Sequence, residues 1–181
     1  MQKYIALLRG INVSGQKKIK MADLVQHCLA IDFKEVSTYI QSGNICFQHT
    51  NNNQQALSIL LQDKIKQEYG FDVPVIVLSK AEFLEASAQL PFNHIDIEKE
   101  GNQVLLSFLN ALPGEEHVNH LLTYVNAPEQ LVVNQKRIYL HCPNGYGKSK
   151  LSNNFIENKL KVIATTRNFK TINKLALLLE K

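Results

Sequence analysis

The sequence predicts an α+β protein made of two consecutive ferredoxin-like β-α-β-β-α-β units with antiparallel sheets, followed by a C-terminal helix. Two observations carry that expectation. Short apolar strand segments and helix faces of period 3.6 alternate in the same order in both halves of the 181-residue chain. A polar, acidic stretch without periodicity, Pro91 to Asn102, separates the two halves. No residue-by-residue repeat links them, so the repetition is one of topology. The expected divisions are 1–80 for the first ferredoxin-like half, 81–101 for a helical and acidic spacer, and 102–181 for the second half with its basic C-terminal segment.

In chain order, the apolar run Tyr4–Arg9, broken by Gly10, is a strand. Met21, Leu24, Val25, Cys28 and Leu29 recur at helical spacing. Val36–Gln41 and Ile45–Gln48 flank Ser42-Gly43-Asn44, a three-residue hairpin connection. A second helix starts near Asn53, shows Leu57, Leu60, Leu61 and Ile65 on one face, and stops at Gly70. Val75–Leu78 is a strand opened by Pro74. Ser79-Lys80-Ala81-Glu82 has the spacing of a capping box for a short helix to about Gln89. The second half begins with strand Val104–Leu109 and a helix after Pro113 at its first position, carrying Val118, Leu121, Leu122 and Val125. Leu131–Val133 and Arg137–His141 form a hairpin, and a helix runs from about Leu151 to Leu160. A strand over Val162–Thr165 and a helix face of Ile172, Leu175, Ala176 and Leu179 complete the chain.

Composition narrows the function classes. Apolar residues make up 45% of the chain and the net charge is only +4, which excludes disorder as the main state. The apolar run Leu175–Leu179, which no other exceeds, is far short of the roughly 20 residues a membrane helix needs. The N-terminus has no cleavage-site pattern and reads as a strand. Cys28, Cys46 and Cys142 form neither a CxxC pair nor a disulfide framework, and free thiols fit a reducing compartment, so a cytoplasmic location is expected. Charge is uneven: residues 1–90 carry +1, residues 91–135 carry −5 and residues 136–181 carry +8. A basic C-terminal quarter points to an anionic partner.

The candidate chemistry lies in polar turns. The assumed topology brings Arg9–Lys20 beside Gln41–Asn44 at one sheet edge, and Pro143–Lys150 beside Thr166–Asn168 at an edge of the second sheet. Arg9, Asn12, Lys20, Ser42, Gly43 and Asn44 in the first pair are anion-binding types, although turn geometry alone accounts for the glycines and asparagines. In the second, Gly145, Gly147, Lys148 and Ser149 resemble the end of a phosphate loop, but a full G-x-x-x-x-G-K-S motif would need glycine where Cys142 stands. A looser anion site at a helix N-terminus and a plain glycine-rich turn are both open readings. Arg167 sits just before the last helix, where its dipole disfavours a cation, so either an anion or a carboxylate such as Glu157 is expected beside it. Asn168 or Thr166 serves as the N-cap. His117 and His120 lack further ligands for a metal, and neither a metal nor a cofactor is expected.

The segments Leu7-Leu8-Arg9-Gly10-Ile11-Asn12-Val13, Lys20-Met21-Ala22-Asp23-Leu24 and Thr38-Tyr39-Ile40-Gln41-Ser42-Gly43-Asn44 resemble the domain-of-unknown-function 1697 family. Gly145-Tyr146-Gly147-Lys148-Ser149-Lys150-Leu151 and Ala164-Thr165-Thr166-Arg167-Asn168, with Thr171 and Lys174-Leu175, are similar too. Two departures are Ser14, where that family usually shows Gly, and Phe169, where Trp is common and would offer a stacking group. The resemblance implies an α+β protein of ferredoxin-like parts in a bacterial cytosol, and it implies no activity.

Three functions remain in play. The first is binding of a phosphate-bearing partner, single-stranded nucleic acid in particular, with Phe47, Phe108 and Tyr139 on strands as stacking candidates and Tyr39, beside the first pair of loops, either a stacking face or a packing residue. The second is a small-molecule enzyme or sensor for a nucleotide or other anion, clamped by Arg9, Lys148 and Arg167. The third is a protein–protein interaction module. Nothing in the sequence sets the oligomeric state, and no membrane partner is expected.

Overall fold

The strand β1 (Gln2–Leu8) is buried from Tyr4 to Leu8, as a strand with apolar residues on both faces must be. It is the seed of the first sheet in a computed structural model that describes all residues, 1–181. The chain continues through α1 (Met21–Ala30), β2 (Lys34–Tyr39), β3 (Asn44–His49), α2 (Gln54–Tyr69) and β4 (Val75–Ser79). The four strands are antiparallel in the order β2-β3-β1-β4. Tyr4, Ala6, Leu8, Ile45, Phe47, Val75 and Val77 alternate onto one face and pack on Leu24 and Cys28 of α1 and Leu57, Leu61 and Ile65 of α2. The alternate face is also buried: Ile5 and Leu7 have no exposure, and Cys46 has 8%.

The remaining elements are α3 (Lys80–Ala88), α4 (Ile97–Glu100), β5 (Val104–Leu109), α5 (Glu115–Leu122), β6 (Gln130–Asn134), β7 (Arg137–His141), a single 3₁₀ turn at Tyr146–Lys148, α6 (Asn153–Leu160), β8 (Ala164–Asn168) and α7 (Phe169–Glu180). The second sheet is antiparallel in the order β6-β7-β5-β8. One of its faces joins Leu105, Leu109, Ile138 and Leu140 to Leu121 of α5 and Ile156 and Leu160 of α6. The architecture is therefore mixed α+β, with two four-stranded antiparallel sheets and seven helices. The chain divides into two compact units, Met1–Glu85 with Leu175–Lys181, and Ala86–Lys174.

Several local expectations hold. Asn53 caps α2, its side chain accepting from the Ala56 amide at 3.0 Å, and Gly70 ends it at φ +75°. The Ser79–Glu82 capping box is formed reciprocally, at 2.8 and 3.3 Å. Other boundaries move for identifiable reasons. β2 ends at Tyr39 because Ile40 is left-handed, at φ +52°. α4, within the stretch read as aperiodic, is a single turn capped by Asp96, too short to show a period. Pro113 lies one residue before the N-cap Gly114, so it is not the first helical residue of α5. α6 starts at Asn153, where the Ser152 hydroxyl accepts from the Phe155 amide at 3.3 Å. β8 is Ala164–Asn168, not Val162–Thr165. The left-handed Lys161 ends α6, and Glu157 Oε1 accepts from the Ala164 amide at 2.9 Å, so pairing begins only at Ala164.

Candidate anion-binding loops

In the first unit, the chain between β1 and α1 is a turn-rich loop in which Asn12 makes three hydrogen bonds. Asn12 Nδ2 donates to the Ile19 carbonyl at 3.0 Å and to the Gln41 carbonyl at 2.9 Å, while its Oδ1 accepts from the Ile19 amide at 2.9 Å. These bonds close the loop on itself and tie it to the β2–β3 hairpin, 29 residues away. Gly10, Asn12, Ser14, Gly15 and Lys17 all have positive φ. Such a run needs glycine or a residue tolerant of the left-handed region. Ser14, at φ +49°, therefore occupies a position that glycine would fill without strain.

The hairpin is equally determined. Gly43 has φ +75°, its carbonyl accepts from the Leu8 amide at 2.8 Å, and a Cβ there would lie 2.6 Å from Leu8 Cβ. Asn44 is wholly buried, and its Nδ2 donates to the Tyr39 carbonyl at 2.8 Å and to Ser42 Oγ at 3.0 Å. Asn12, Gly43 and Asn44 thus build the scaffold, and Ser42 is partnered within it. Segment 9–20 carries Arg9, Lys17, Lys18 and Lys20 with no carboxylate. Lys17 Nζ donates to the Asp72 carbonyl at 2.6 Å. Lys18 and Lys20 are exposed, and neither side chain makes a hydrogen bond or ion pair. Arg9 is half-buried, and its amide donates to the Pro74 carbonyl at 2.9 Å.

In the second unit, the loop after β7 is built mainly from turns. The amides of Gly145, Lys148 and Ser149 donate to the carbonyls of Cys142, Gly145 and Tyr146 at 2.9, 3.1 and 3.1 Å. Ser149 Oγ accepts from the Leu151 amide at 3.0 Å. These groups point into the loop's own turns, unlike the converging amides of a phosphate loop. Gly145 has φ +92°, and a Cβ at Gly147 would meet nothing within 4 Å. Lys148 and Lys150 are exposed and lack side-chain partners. Lys148 belongs to the 3₁₀ turn and is not at the start of α6, where Ser152 is the cap. At the base of the loop, burial pushes the Cys142 thiol up to about 11, against an opposing hydrogen bond with Ser149.

Arg167 departs most from expectation. It lies inside β8 opposite Leu106, at 8% exposure, and its Nη1 donates to Thr165 Oγ1 and to the Thr166 carbonyl, both at 2.9 Å. It is therefore not a surface cation in a turn. Asn168 is the last residue of β8, and its Oδ1 accepts from the Thr171 amide at 2.9 Å, the capping role expected of it. Its Nδ2 donates to Asn102 at 3.2 Å.

The sequence reading missed a polar chain that joins β5, β8 and α6. Ser107 Oγ lies 2.7 Å from Thr166 Oγ1, which donates to Asn153 Oδ1 at 2.6 Å, and Asn153 Nδ2 donates to the Ala164 carbonyl at 2.9 Å. Its one advance signal was a serine in the otherwise apolar run Val104–Leu109. The stacking candidates also change role. Phe47, Phe108 and Tyr139 are exposed by only 2%, 1% and 1%, and Phe47 stacks on Phe33 at 4.0 Å. Phe169 is 2% exposed, so it serves packing. No helix is long and apolar enough to cross a membrane.

Among solved structures, the chain is similar to a conserved bacterial protein from Streptococcus pneumoniae. The two share 24% identity over 98% of each chain, with a TM-score of 0.77, which supports the fold. No curated protein matches the chain. The model of a family described as "Protein of unknown function (DUF1697)" matches residues 1–139, which takes in the pinned loop and hairpin described above. The chain belongs to the DUF1697 family.

Proposed function

We propose that this protein binds a phosphate-bearing partner through exposed lysines on rigid polar loops, and that the partner is single-stranded nucleic acid contacted along its backbone. The supporting observation is the segment 9–20: four cations and no carboxylate, on a loop held by the three hydrogen bonds of Asn12. A pinned loop loses little freedom on binding, so its lysines meet phosphates at low entropic cost. Lys148 and Lys150 on the second unit's glycine-containing loop are of the same kind. We read each half as a ferredoxin-like unit, divided at 1–80, 81–101 and 102–181, working in the cytoplasm. The free thiols favour that compartment.

Burial of Phe47, Phe108 and Tyr139 rules out base stacking on these rings. Half-buried Tyr39 is the one ring of the four left in reach of a base, so the expected binding is mainly electrostatic and largely indifferent to sequence. Fluorescence anisotropy with a labelled single-stranded RNA 12-mer tests this. Each lysine–phosphate contact contributes roughly 0.7 to the slope of log affinity on log salt, so Lys18→Gln with Lys20→Gln lowers that slope by about 1.4. Absence of saturable binding at about 50 mM salt sinks the nucleic-acid reading. The same burial favours a second reading, a nucleotide or other small phosphorylated ligand that needs no stacking platform. A melting-temperature rise with nucleoside triphosphates, in protein that ignores RNA, selects it.

A further inference from the structure

A cleft of about 290 Å³ opens in the first unit on the face of the sheet opposite its helical core. The pairing register explains its floor. Lys3 lies opposite Gln48, and Cys46 lies opposite Ser37, so these four side chains share the face that Tyr4 and Phe47 do not. Leu178 and Leu179, from the last turn of α7, form an apolar wall, and Lys181 follows them at the rim. Glu35 completes the lining from a bulged part of β2, at φ +49°.

None of the polar side chains of Lys3, Glu35, Ser37, Gln48 or Lys181 makes a hydrogen bond or ion pair. Lys3 and Lys181 bring ammonium groups to the cleft and Glu35 brings a carboxylate. Its volume is at the lower end for small-molecule sites, which combine an apolar wall with a few placed polar groups. The Cys46 thiol on the floor is held up to about 11 by burial, with the Lys3 charge opposing. At neutral pH the thiol is almost wholly protonated, a neutral contact surface and a slow nucleophile.

We propose that this cleft binds a small monocarboxylate with a short aliphatic chain, its acid group between Lys3 and Lys181 and its chain against Leu178 and Leu179. The site lies apart from the loop lysines of the nucleic-acid reading and stands or falls independently of it. Cys46 offers a built-in reporter, because it is 8% exposed while Cys28 and Cys142 are at 0% and 1%.

The test follows alkylation of Cys46 by N-ethylmaleimide, resolved by mass spectrometry, with hexanoate as probe and hexanol as its uncharged counterpart. With a dissociation constant near 1 mM, about 10 mM hexanoate slows alkylation roughly tenfold. Hexanol is expected to give little protection. Lys3→Gln with Lys181→Gln is expected to abolish the hexanoate effect, read as the ratio of rates with and without ligand in the same variant, because loss of the Lys3 charge itself slows the ligand-free reaction. The hexanoate-dependent rise in melting temperature, lost in the same double variant, is the second readout and serves if the thiol reacts too slowly. No protection and no melting shift with hexanoate overturns the proposal. Equal protection by hexanol overturns the carboxylate, and protection that survives the double variant overturns the lysine pair.

Discussion

Gly43 has two independent reasons to lack a side chain. Its φ of +75° lies where L-residues are strained, and a methyl group would meet Leu8 Cβ at 2.6 Å and Ile11 Cδ1 at 2.8 Å. Neither neighbour can yield easily, since Leu8 and Ile11 are 0% and 2% exposed and belong to the first core. Gly43→Ala is therefore expected to cost about 3 kcal/mol in urea unfolding, and a loss under about 1 kcal/mol means the hairpin can shift. The adjacent Asn44 is a different case. It is buried for the sake of its bonds to Tyr39 and Ser42, which turn the chain before β3. These residues carry loop shape, whereas Lys18 and Lys20, exposed on the loop so shaped, carry its charge.

Helices and strands in the second unit are joined by polar side chains as well as by apolar packing. Ser107 has no exposure, and its hydroxyl is partnered by Thr166 alone; Thr166 also reaches Asn153 at the start of α6. Thr166→Val preserves shape but leaves the Ser107 hydroxyl buried without a partner. The expected loss is about 1–3 kcal/mol, and Ser107→Ala in the same background recovers part of it. Additive losses in the double variant would show that the two hydroxyls are not coupled. Arg167 belongs to the same scale. Its position in β8 makes it part of the unit's interior, so exchange to Gln is expected to lower stability in a way that exchange of exposed Lys148 does not.

Across the whole molecule, three thiols with no disulfide tie stability to alkaline pH. Burial raises Cys28 to about 12 and Cys46 and Cys142 to about 11, against 9.0 when exposed. A folded value above the unfolded one means that the contribution is complete below pH 9 and is lost as pH rises through the folded values. Burial of Tyr4 and Tyr69 acts in the same direction. Each thiol contributes up to about 1.4 kcal/mol of loss per pH unit above its unfolded value. The urea midpoint is expected to fall between pH 8 and pH 10, and a flat midpoint means the thiols ionise freely in the folded protein.

Much of this protein was legible from local pattern. The strand β1, the core faces of α1 and α2, the Asn53 and Gly70 caps, the Ser79–Glu82 box and the Asn168 cap follow from residue period and from side chains acting within four positions. The polar turns were legible as turns for the same reason. What lay beyond the sequence depends on partners far apart along the chain. Asn12 shows its role only once Gln41 is folded against it. Arg167 looked like a surface cation until β8 extended to include it. Phe47, Phe108 and Tyr139 could not be assigned to core or surface, because period 2 separates two sheet faces without saying whether each is covered. The cleft arises where the end of α7 meets β1, β2 and β3, more than a hundred residues earlier. Short-range periodicity is set by backbone geometry that every residue carries with it. Burial and long-range partners are set by packing, which exists only in the folded chain.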